Sequence, residues 1–285
     1  MSAISAHLPD GRLHLQQGPI DLVIEAFGDA EEVGRAYAQA TDRFADILET
    51  LVSELATLRR PVGEEPPRFR GPVARRMAKA VWPHRAVYIT PMAAVAGAVA
   101  DEVLAALVRG RRLDKAYVND GGDIAIHLAP GHQLRAGIVA DLEAPQLSGF
   151  ATLQHDRPVR GIATSGCGGR SFSLGIADSA TVLAATAAAA DAAATLIANA
   201  VNVDATAISR RPACEIDPDS DLGEIPVTVK VGTLSPAQVA EALDRGLGEA
   251  RRLRLCGLID SAALSLQGQW RIEAAGGAIG EMRAG

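Results

Sequence analysis

The sequence predicts an α+β fold, on two observations. Several long stretches carry apolar residues at helical spacing, and the segments between them are short, strand-like runs separated by Gly, Pro, Asp and His. Long helices mixed with meandering strands are typical of α+β domains. No fixed-period repeat interrupts this pattern, so we expect a single domain over residues 1–285, with a motif core at about 90–201.

The N-terminal part, residues 12–59, is predicted to be a hairpin followed by a helix. Two alternating runs, RLHLQQ and IDLVIEAF, flank a turn at Gly18-Pro19. Apolar residues then recur at helical spacing from Asp29 to about Arg59, with acids in the first turn. A loop, PVGEEPPRFRGP, and a short basic segment, ARRMAKAVWPHR, follow the predicted helix.

Two further helices and a C-terminal unit are predicted beyond the basic segment. Thr90-Pro91 marks a helix start, because proline suits the first helical position, and this helix is expected to end near Gly110. Residues 186–201 form the second helix, in which nine of 16 residues are alanine. Residues 226–274 predict a β-α-β unit made of VTVKV, SPAQVAEALDRGLGEARRLRL and SAALSLQGQWRIEA. The remaining strand candidates are KAYV, DIAIHL, LRAGIVA, GFATLQ, VRGIAT and SFSLGIADSATVLA.

Charge and cysteine content limit the class of protein. The 34 Asp and Glu residues exceed the 28 Lys and Arg residues, and the net charge of −6 argues against a nucleic-acid surface. The N-terminus lacks a basic region followed by an apolar run, and the alanine-rich stretch carries an acid whose burial in a bilayer costs about 2.5–3.5 kcal/mol. The three cysteines form no CxxC pair, which is typical of reduced thiols. We therefore expect a soluble cytoplasmic protein with no nucleic-acid or membrane partner.

Two glycine-containing turns are candidates for ligand contact. In VNDGGDIAI, Gly121 and Gly122 precede Asp123, so the backbone either approaches a ligand closely or makes only a tight turn. In IATSGCGGRS, residues 162–171, glycines lie among small hydroxylated residues. Successive N–H groups there either form an anion-binding concavity, with Arg170 as a phosphate contact, or belong to a plain hairpin loop. The residues alone leave both alternatives open at each turn.

The alanine-rich helix carries a polar stripe. Asp191, Thr195 and Asn199 are spaced i, i+4 and i+8, which places them close to one face of the helix. The alanines around them permit close approach of a backbone or a ligand. A carboxylate and a hydroxyl oxygen suit a hard cation such as Mg²⁺. In the alternative reading, Asp191 only caps or hydrogen-bonds a neighbouring loop.

Five segments follow one another between Thr90 and Val201: PMAAVAGAVAD, VNDGGDIAI, IATSG, SFSLGIADSATVLA and ADAAATLIANAV. Taken in this order, they resemble the ApbE-like family of FAD:protein FMN transferases, once named thiamine-biosynthesis lipoproteins, and in particular its cytosolic branch. The resemblance implies a T-fold-like α+β architecture with antiparallel sheets packed against long helices. It also implies that FAD binds in a cleft with Mg²⁺ near its pyrophosphate. In that family FMN is transferred to a threonine or serine of an acceptor protein, and AMP leaves.

The resemblance also assigns roles to residues of this chain. The side chains of Asp191 and Thr195 and the main-chain carbonyl of Ala93 would be Mg²⁺ ligands, and Asp191 would be the catalytic residue. Two turns that match the family's GGD and TSG turns would contact the flavin nucleotide through their amides. Their residues are Gly121, Gly122, Asp123, Thr164, Ser165 and Gly166.

Within the motif core, the chain departs from the family pattern at three places. Thr90 stands where the transferases have an acid, Ala96 stands where a lysine or glutamate usually precedes the glycine matched to Gly97, and the histidine-containing segment is absent. Because the motifs occur in family order and the Asp191/Thr195 pair is intact, we expect an Mg²⁺-dependent enzyme acting on FAD, by FMN transfer or by pyrophosphate hydrolysis that releases AMP. Two alternatives are an enzyme for another small heterocyclic metabolite and a non-catalytic flavin- or nucleotide-binding homo-oligomer. The expected partners are a small-molecule nucleotide or flavin and, for transfer, a protein acceptor.

Overall fold

The computed structural model describes residues 3–139, 147–169, 171–274 and 279. These residues contain thirteen strands and eight α-helices. The strands are β1 (Ile4–His7), β2 (Leu13–Gln17), β3 (Ile20–Gly28), β4 (Leu113–Asp120), β5 (Asp123–Leu128), β6 (Gln133–Val139), β7 (Leu147–Gln154), β8 (Gly161–Ser165), β9 (Ser179–Ala184), β10 (Ile208–Pro212), β11 (Pro226–Val231), β12 (Ser261–Leu266) and β13 (Gln269–Ala274). The helices are α1 (Ala30–Phe44), α2 (Ile47–Ser53), α3 (Leu55–Leu58), α4 (Pro72–Val81), α5 (Val95–Leu107), α6 (Ala187–Ala200), α7 (Ala213–Ile216) and α8 (Pro236–Leu255).

The chain folds into two compact units. The described residues of unit 1 lie within Met1–Leu134, Leu153–Ala163 and Ala184–Ala192. Those of unit 2 lie within Arg135–Thr152, Thr164–Leu183 and Ala193–Gly285. The single domain expected over residues 1–285 stays a prediction.

Unit 1 is built on an antiparallel meander in which each strand from β1 to β5 pairs with the next. Strand β8 adds to β5 through the pair formed by Ile124 and Ile162 and the pair formed by Ala125 and Gly161. Every second residue of β2 and β3 is buried, because one face of this sheet packs against α1 and α5. The predicted hairpin is therefore confirmed, and its turn contains Gly18 at φ 57°.

The helix predicted from Asp29 to Arg59 is wrong as a single helix, because it divides into α1, α2 and α3. Its predicted start is confirmed, since the Asp29 side chain accepts hydrogen bonds from two N–H groups of the first turn of α1. Helix α2 ends at Ser53, and the carboxylate of the next residue, Glu54, accepts hydrogen bonds from the N–H groups of Arg70 and Gly71. Contact with the following loop thus overrides the helical spacing of the sequence.

Unit 2 contains the antiparallel strands β9, β12 and β13, with α8 packed on β12 and β13. The strand predicted over SAALSLQGQWRIEA is wrong, because the segment is a hairpin that turns at Gln267 and Gly268, both at positive φ. Strand β11 pairs with β10, whereas β12 pairs with β9, so the two strands of the predicted β-α-β unit do not pair with each other. The strand predicted over SFSLGIADSATVLA is confirmed only for Ser179–Ala184.

The α+β class, with antiparallel sheets and long helices, is confirmed. Both helices predicted in the motif core are present as well, and α5 is preceded by a 3₁₀ turn at Pro91–Ala94. Over the described residues, the structure contains no helix with the length and apolar character needed to span a bilayer.

Candidate functional site

The N-terminal turn of α5 holds the carboxylate of Asp191. The N–H of Gly97, in the first turn of α5, donates to Oδ2 of Asp191 over 3.1 Å. The N-cap residue Ala94 has no side chain that can cap α5, so the acid of α6 supplies an acceptor to N–H groups that have no partner within their own helix. The capping role that was one alternative for Asp191 is therefore present. The N–H of Ala96 also hydrogen-bonds this carboxylate.

Two glycines allow the start of α6 to come close to the rest of unit 1. A Cβ added to Gly97 would lie 2.4 Å from the carbonyl oxygen of Ala187. A Cβ added to Gly161, in β8, would lie 2.1 Å from the carbonyl carbon of Thr186. Such distances are incompatible with any larger residue, so the backbone of α6 begins between two positions where only glycine fits without a shift.

A second acid completes a reciprocal arrangement between α5 and α6. Asp101 of α5 accepts a hydrogen bond from the N–H of Ala187 at Oδ1 and another from the N–H of Ala188 at Oδ2, each over 3.0 Å. The next N–H, that of Ala189, donates to Oγ1 of Thr186. Each helix thus contributes a carboxylate to the N-terminus of the other.

The electrostatic environment of Asp191 is unfavourable to its charge. Burial raises the pKa of Asp191, the N–H of Gly97 opposes that rise, and the neighbouring Asp120 adds to it, with the pKa at about 7 as a result. Asp120 is buried at the end of β4. Among the described ion pairs, none joins a Lys or Arg to Asp191. A bound cation would therefore stabilise the ionised carboxylate.

The predicted GGD turn joins β4 to β5 in unit 1. Gly121 and Gly122 have φ values of 63° and 112°, a region that favours glycine, and the N–H of Gly122 donates to Oδ1 of Asn119. Asp123 pairs with Asp120 directly across the turn. The tight turn is thus confirmed, and its contact with a ligand stays a prediction.

The predicted TSG turn lies in unit 2, at the end of β8. Oγ1 of Thr164 is 2.9 Å from Oγ1 of Thr181, and Ser165 is the last residue of the strand. A Cβ added to Gly166 would lie 2.3 Å from the carbonyl oxygen of Asp178, so this glycine is required by a close backbone approach. Arg170, the proposed phosphate contact, lies outside the described residues.

The other two members of the polar stripe lie further along α6. Thr195 follows Asp191 by one helical turn and is half-buried. Oδ1 of Asn199 accepts hydrogen bonds from the N–H of Leu174, over 2.9 Å, and from the hydroxyl of Ser173, over 3.4 Å. Asn199 therefore holds the segment before β9, a structural role that sequence reasoning did not assign.

Two acids of this region, Asp101 and Asp120, were absent from the predicted site. A signal for Asp101 was present, because MAAVAGAVADEVLAALV places an acid inside an otherwise apolar helical run. The described residues contain no group of three or more His, Cys, Asp or Glu arranged to hold a metal ion. A cavity of about 460 Å³ lies elsewhere and includes none of the predicted site residues. It is lined by Val62, Gly63, Glu64, Pro83, Arg85 and Ala86.

The chain is similar to several solved protein structures. No curated protein matches the sequence. A mutant of the flavin transferase ApbE from Vibrio cholerae is similar in structure, with 14% identity, a TM-score of 0.43 and coverage of 93% of this chain and 97% of that one. The apo form of the flavinyl transferase ApbE from Pseudomonas stutzeri has 14% identity, a TM-score of 0.43 and coverage of 95% and 93%. The ApbE protein from Thermotoga maritima has 15% identity, a TM-score of 0.37 and coverage of 87% and 77%.

A family model described as "AbpE bacteria" matches residues 5–272, which is most of the sequence. The match includes the α5 and α6 segments, with both carboxylates of the reciprocal arrangement. The chain therefore belongs to the ApbE-like family.

Proposed function

We propose that the protein is an Mg²⁺-dependent enzyme acting on FAD, either by transferring FMN to an acceptor protein or by hydrolysing the FAD pyrophosphate. The observation that carries this proposal is the Asp191 carboxylate, which is held in place by α5 and lacks a described ion pair with a Lys or Arg. Membership of the ApbE-like family supports the choice of a flavin nucleotide as substrate.

The proposed cation ligands are the side chains of Asp191 and Thr195 and the main-chain carbonyl of Ala93. All three are oxygen donors, which suits Mg²⁺. The N–H of Gly97 donates to Oδ2 of Asp191 and the N–H of Ala96 also hydrogen-bonds this carboxylate; Oδ1 is the oxygen that we assign to the cation. When bound, Mg²⁺ would neutralise charge that develops on the phosphates as the anhydride bond breaks. Asp191 is the residue that we propose to be essential for turnover.

We propose that the GGD and TSG turns contact the flavin nucleotide. The residues are Gly121, Gly122, Asp123, Thr164, Ser165 and Gly166. Gly122 has a positive φ that residues other than glycine rarely adopt, and a Cβ there would meet no atom within 4 Å. Amide groups in such turns are suited to phosphate oxygens. Each turn is assigned separately, one to unit 1 and one to unit 2.

The reaction balances in both versions. In transfer, a hydroxyl oxygen of an acceptor threonine or serine forms a bond to the FMN phosphorus, its proton is released, and the anhydride P–O bond breaks so that AMP leaves with the bonding pair. In hydrolysis, water takes the place of the acceptor hydroxyl and FMN is the second product. Both versions release AMP, so one assay detects either.

A different substrate is the second candidate, and one observation favours it. Thr90 is buried immediately before the 3₁₀ turn, where the transferases have an acid, and Ala96 replaces the usual lysine or glutamate. We therefore keep two alternatives, an enzyme for another small heterocyclic metabolite and a non-catalytic flavin- or nucleotide-binding homo-oligomer. A T-fold-like arrangement and a cytoplasmic location are part of the same proposal.

The test is chromatography of nucleotides after incubating the purified protein with FAD, with and without Mg²⁺. We expect AMP release that requires Mg²⁺ and falls at least about 100-fold in Asp191→Ala, since a cation's stabilisation of several kcal/mol is lost. Asp29→Ala removes a helix cap of α1 in the same unit and should leave AMP release unchanged. Intact FAD in the presence of Mg²⁺, or equal turnover in Asp191→Ala, would reject the FAD reaction and favour the alternatives.

A further inference from the structure

We infer that Asp101 is a positioning residue that fixes the Asp191 carboxylate for the cation, through the N-terminal turn of α6. The inference rests on the proposed function and adds a residue to which no role in it has been given. Asp101 does not touch the assigned cation oxygen. It acts on the backbone of the helix that carries Asp191.

The first step is that Asp101 completes the N-terminus of α6. A helix begins with four N–H groups that lack partners within the helix. In α6, those of Ala187 and Ala188 donate to Asp101, that of Ala189 donates to the Thr186 hydroxyl, and that of Ala190 donates to the Thr186 carbonyl. All four are satisfied, and half of them depend on one side chain from α5.

The second step is that both Asp101 oxygens are occupied. Oδ1 and Oδ2 each accept one of these N–H groups at 3.0 Å, and the Thr186 hydroxyl also hydrogen-bonds this carboxylate. A bidentate grip of this kind fixes both the distance and the rotation of the first turn of α6 relative to α5. An acid occupied in this way is suited to holding a helix and not to binding a cation directly.

The third step links this grip to Asp191. Asp191 lies one turn after Ala187 in α6, and its Oδ2 meets the N–H of Gly97, one turn before Asp101 in α5. Gly97 also contacts the Ala187 carbonyl region, where a Cβ would lie 2.4 Å from the oxygen. The two helices are therefore joined at three points within about one turn each. Loss of the Asp101 grip would leave the hydrogen bonds of the Gly97 and Ala96 N–H groups to Asp191 to hold this crossing.

The experiment compares Mn²⁺ binding, as a probe for the Mg²⁺ site, in the wild type, Asp101→Asn and Asp29→Asn. Asp29 is the matched control, because its carboxylate also accepts two N–H groups of a helix start in unit 1, at α1. Calorimetric titration with MnCl₂ should show affinity at least about tenfold weaker in Asp101→Asn, as is usual when a residue that orients a metal ligand is lost. Asp29→Asn should bind Mn²⁺ as the wild type does, although both variants lower the melting temperature.

A second readout does not depend on any metal. The amide resonance of Gly97 in a ¹H–¹⁵N spectrum reports its hydrogen bond to Asp191. We expect it to move in Asp101→Asn and to keep its position in Asp29→Asn. If Asp101→Asn does not fold, Asp101→Glu keeps the charge, displaces the carboxylate by one methylene, and should give the same two changes.

The outcomes separate this inference from the proposed function. Unchanged Mn²⁺ affinity in Asp101→Asn would overturn the inference, as would equal losses in Asp101→Asn and Asp29→Asn. If the wild type itself binds no Mn²⁺, the proposed function fails, and the Gly97 resonance alone decides whether Asp101 positions Asp191. In that case a resonance that moves supports the positioning role, and one that stays rejects it.

Discussion

Two neighbouring acids of α5, Asp101 and Glu102, have their negative charge balanced in different ways. Consecutive helix residues point about 100° apart, so the two side chains reach different surroundings. Asp101 accepts hydrogen bonds from backbone N–H groups of α6, whereas Glu102 accepts them from Nε of Arg43, over 2.9 Å, and from Nε of Arg76, over 2.8 Å. Burial raises the pKa of Asp101, and its N–H partners and the charge of Arg76 oppose that rise without cancelling it. Burial acts on Glu102 as well, but the two arginines outweigh it and lower the pKa.

The difference shows what a full positive charge supplies and a helix terminus does not. A helix N-terminus is equivalent to roughly half an elementary charge, whereas two guanidinium groups carry two. The two arginines therefore balance the charge of Glu102. The charges of Asp101 in α5 and of Asp120 at the end of β4 both act on Asp191, and the described ion pairs include no cation for Asp191. A metal ion would add most at the crossing of α5 and α6.

Glu102→Gln should have the largest effect on stability. The substitution removes the charge that pairs with two arginines at a position that is 8% exposed, and we expect a loss of about 3 kcal/mol in the free energy of unfolding. Urea unfolding measures it, and Mn²⁺ affinity should stay within about twofold of the wild type. Glu241→Gln, which breaks an exposed pair with Arg245, should cost less than about 0.5 kcal/mol. Equal losses in the two variants would contradict the contrast between Glu102 and an ordinary surface pair.

Gly97→Ala should have the next largest effect on stability. It acts at the crossing of α5 and α6, whereas Glu102→Gln acts on the ion pairs with Arg43 and Arg76. A methyl group inserted 2.4 Å from the Ala187 carbonyl oxygen must push α5 and α6 apart, at an expected cost of about 1–3 kcal/mol, and Mn²⁺ affinity should fall with it. The matched control is Gly34→Ala in α1, where a Cβ meets no atom within 4 Å. There alanine should stabilise the helix by about 0.5–1 kcal/mol. Thermal and urea unfolding of both variants, with MnCl₂ titration, give the comparison.

The pH dependence of stability should show opposite signs for the two acids, with the smallest amplitude of the three effects. Because the pKa of Glu102 is lowered from 4.5, its contribution is present above that value and is lost as the pH falls below it. The pKa of Asp101 is raised from 3.8, so above pH 3.8 Asp101 ionises more readily in the unfolded chain than in the folded state. The stability contribution of Asp101 is therefore lost as the pH rises from 3.8 through its folded-state pKa. We therefore expect the free energy of unfolding, measured between pH 3 and 7, to depend less on pH at the acidic end in Glu102→Gln. In Asp101→Asn it should fall less as the pH rises from 3.8. Identical profiles in both variants would contradict these assignments.

Local signals in the sequence predicted the elements that local interactions determine. The β2–β3 hairpin and helix α6 are found where alternation and alanine content placed them. The hairpin between β12 and β13 was not predicted, because its turn has Gln267 at φ 46°, and glutamine is not a usual residue at positive φ. Its side chain and backbone are held by Leu234, Gly232 and Asp178, which are distant in sequence.

In the candidate site as well, the sequence predicted what local spacing determines and missed what depends on contacts between distant residues. Asp191 was visible because an acid stands alone among alanines, and its capping of a neighbouring segment was one of the readings. The role of Asp101 was not visible, because it depends on a contact between residues 86 positions apart. The spacing of a sequence identifies a face of a helix, but the partner of that face is set by packing.

The alanine content of α6 has a consequence in conformational entropy. Burying an alanine side chain costs no rotamer freedom, whereas long side chains lose up to about 2 kcal/mol each. Seven alanines of α6 are buried, and they are Ala187, Ala188, Ala190, Ala192, Ala193, Ala194 and Ala198. Ordering this helix therefore restricts few side-chain torsions besides those of its polar residues. The rotamer of Asp191 is among the few that folding must select, so the carboxylate can be held in place before any ligand arrives.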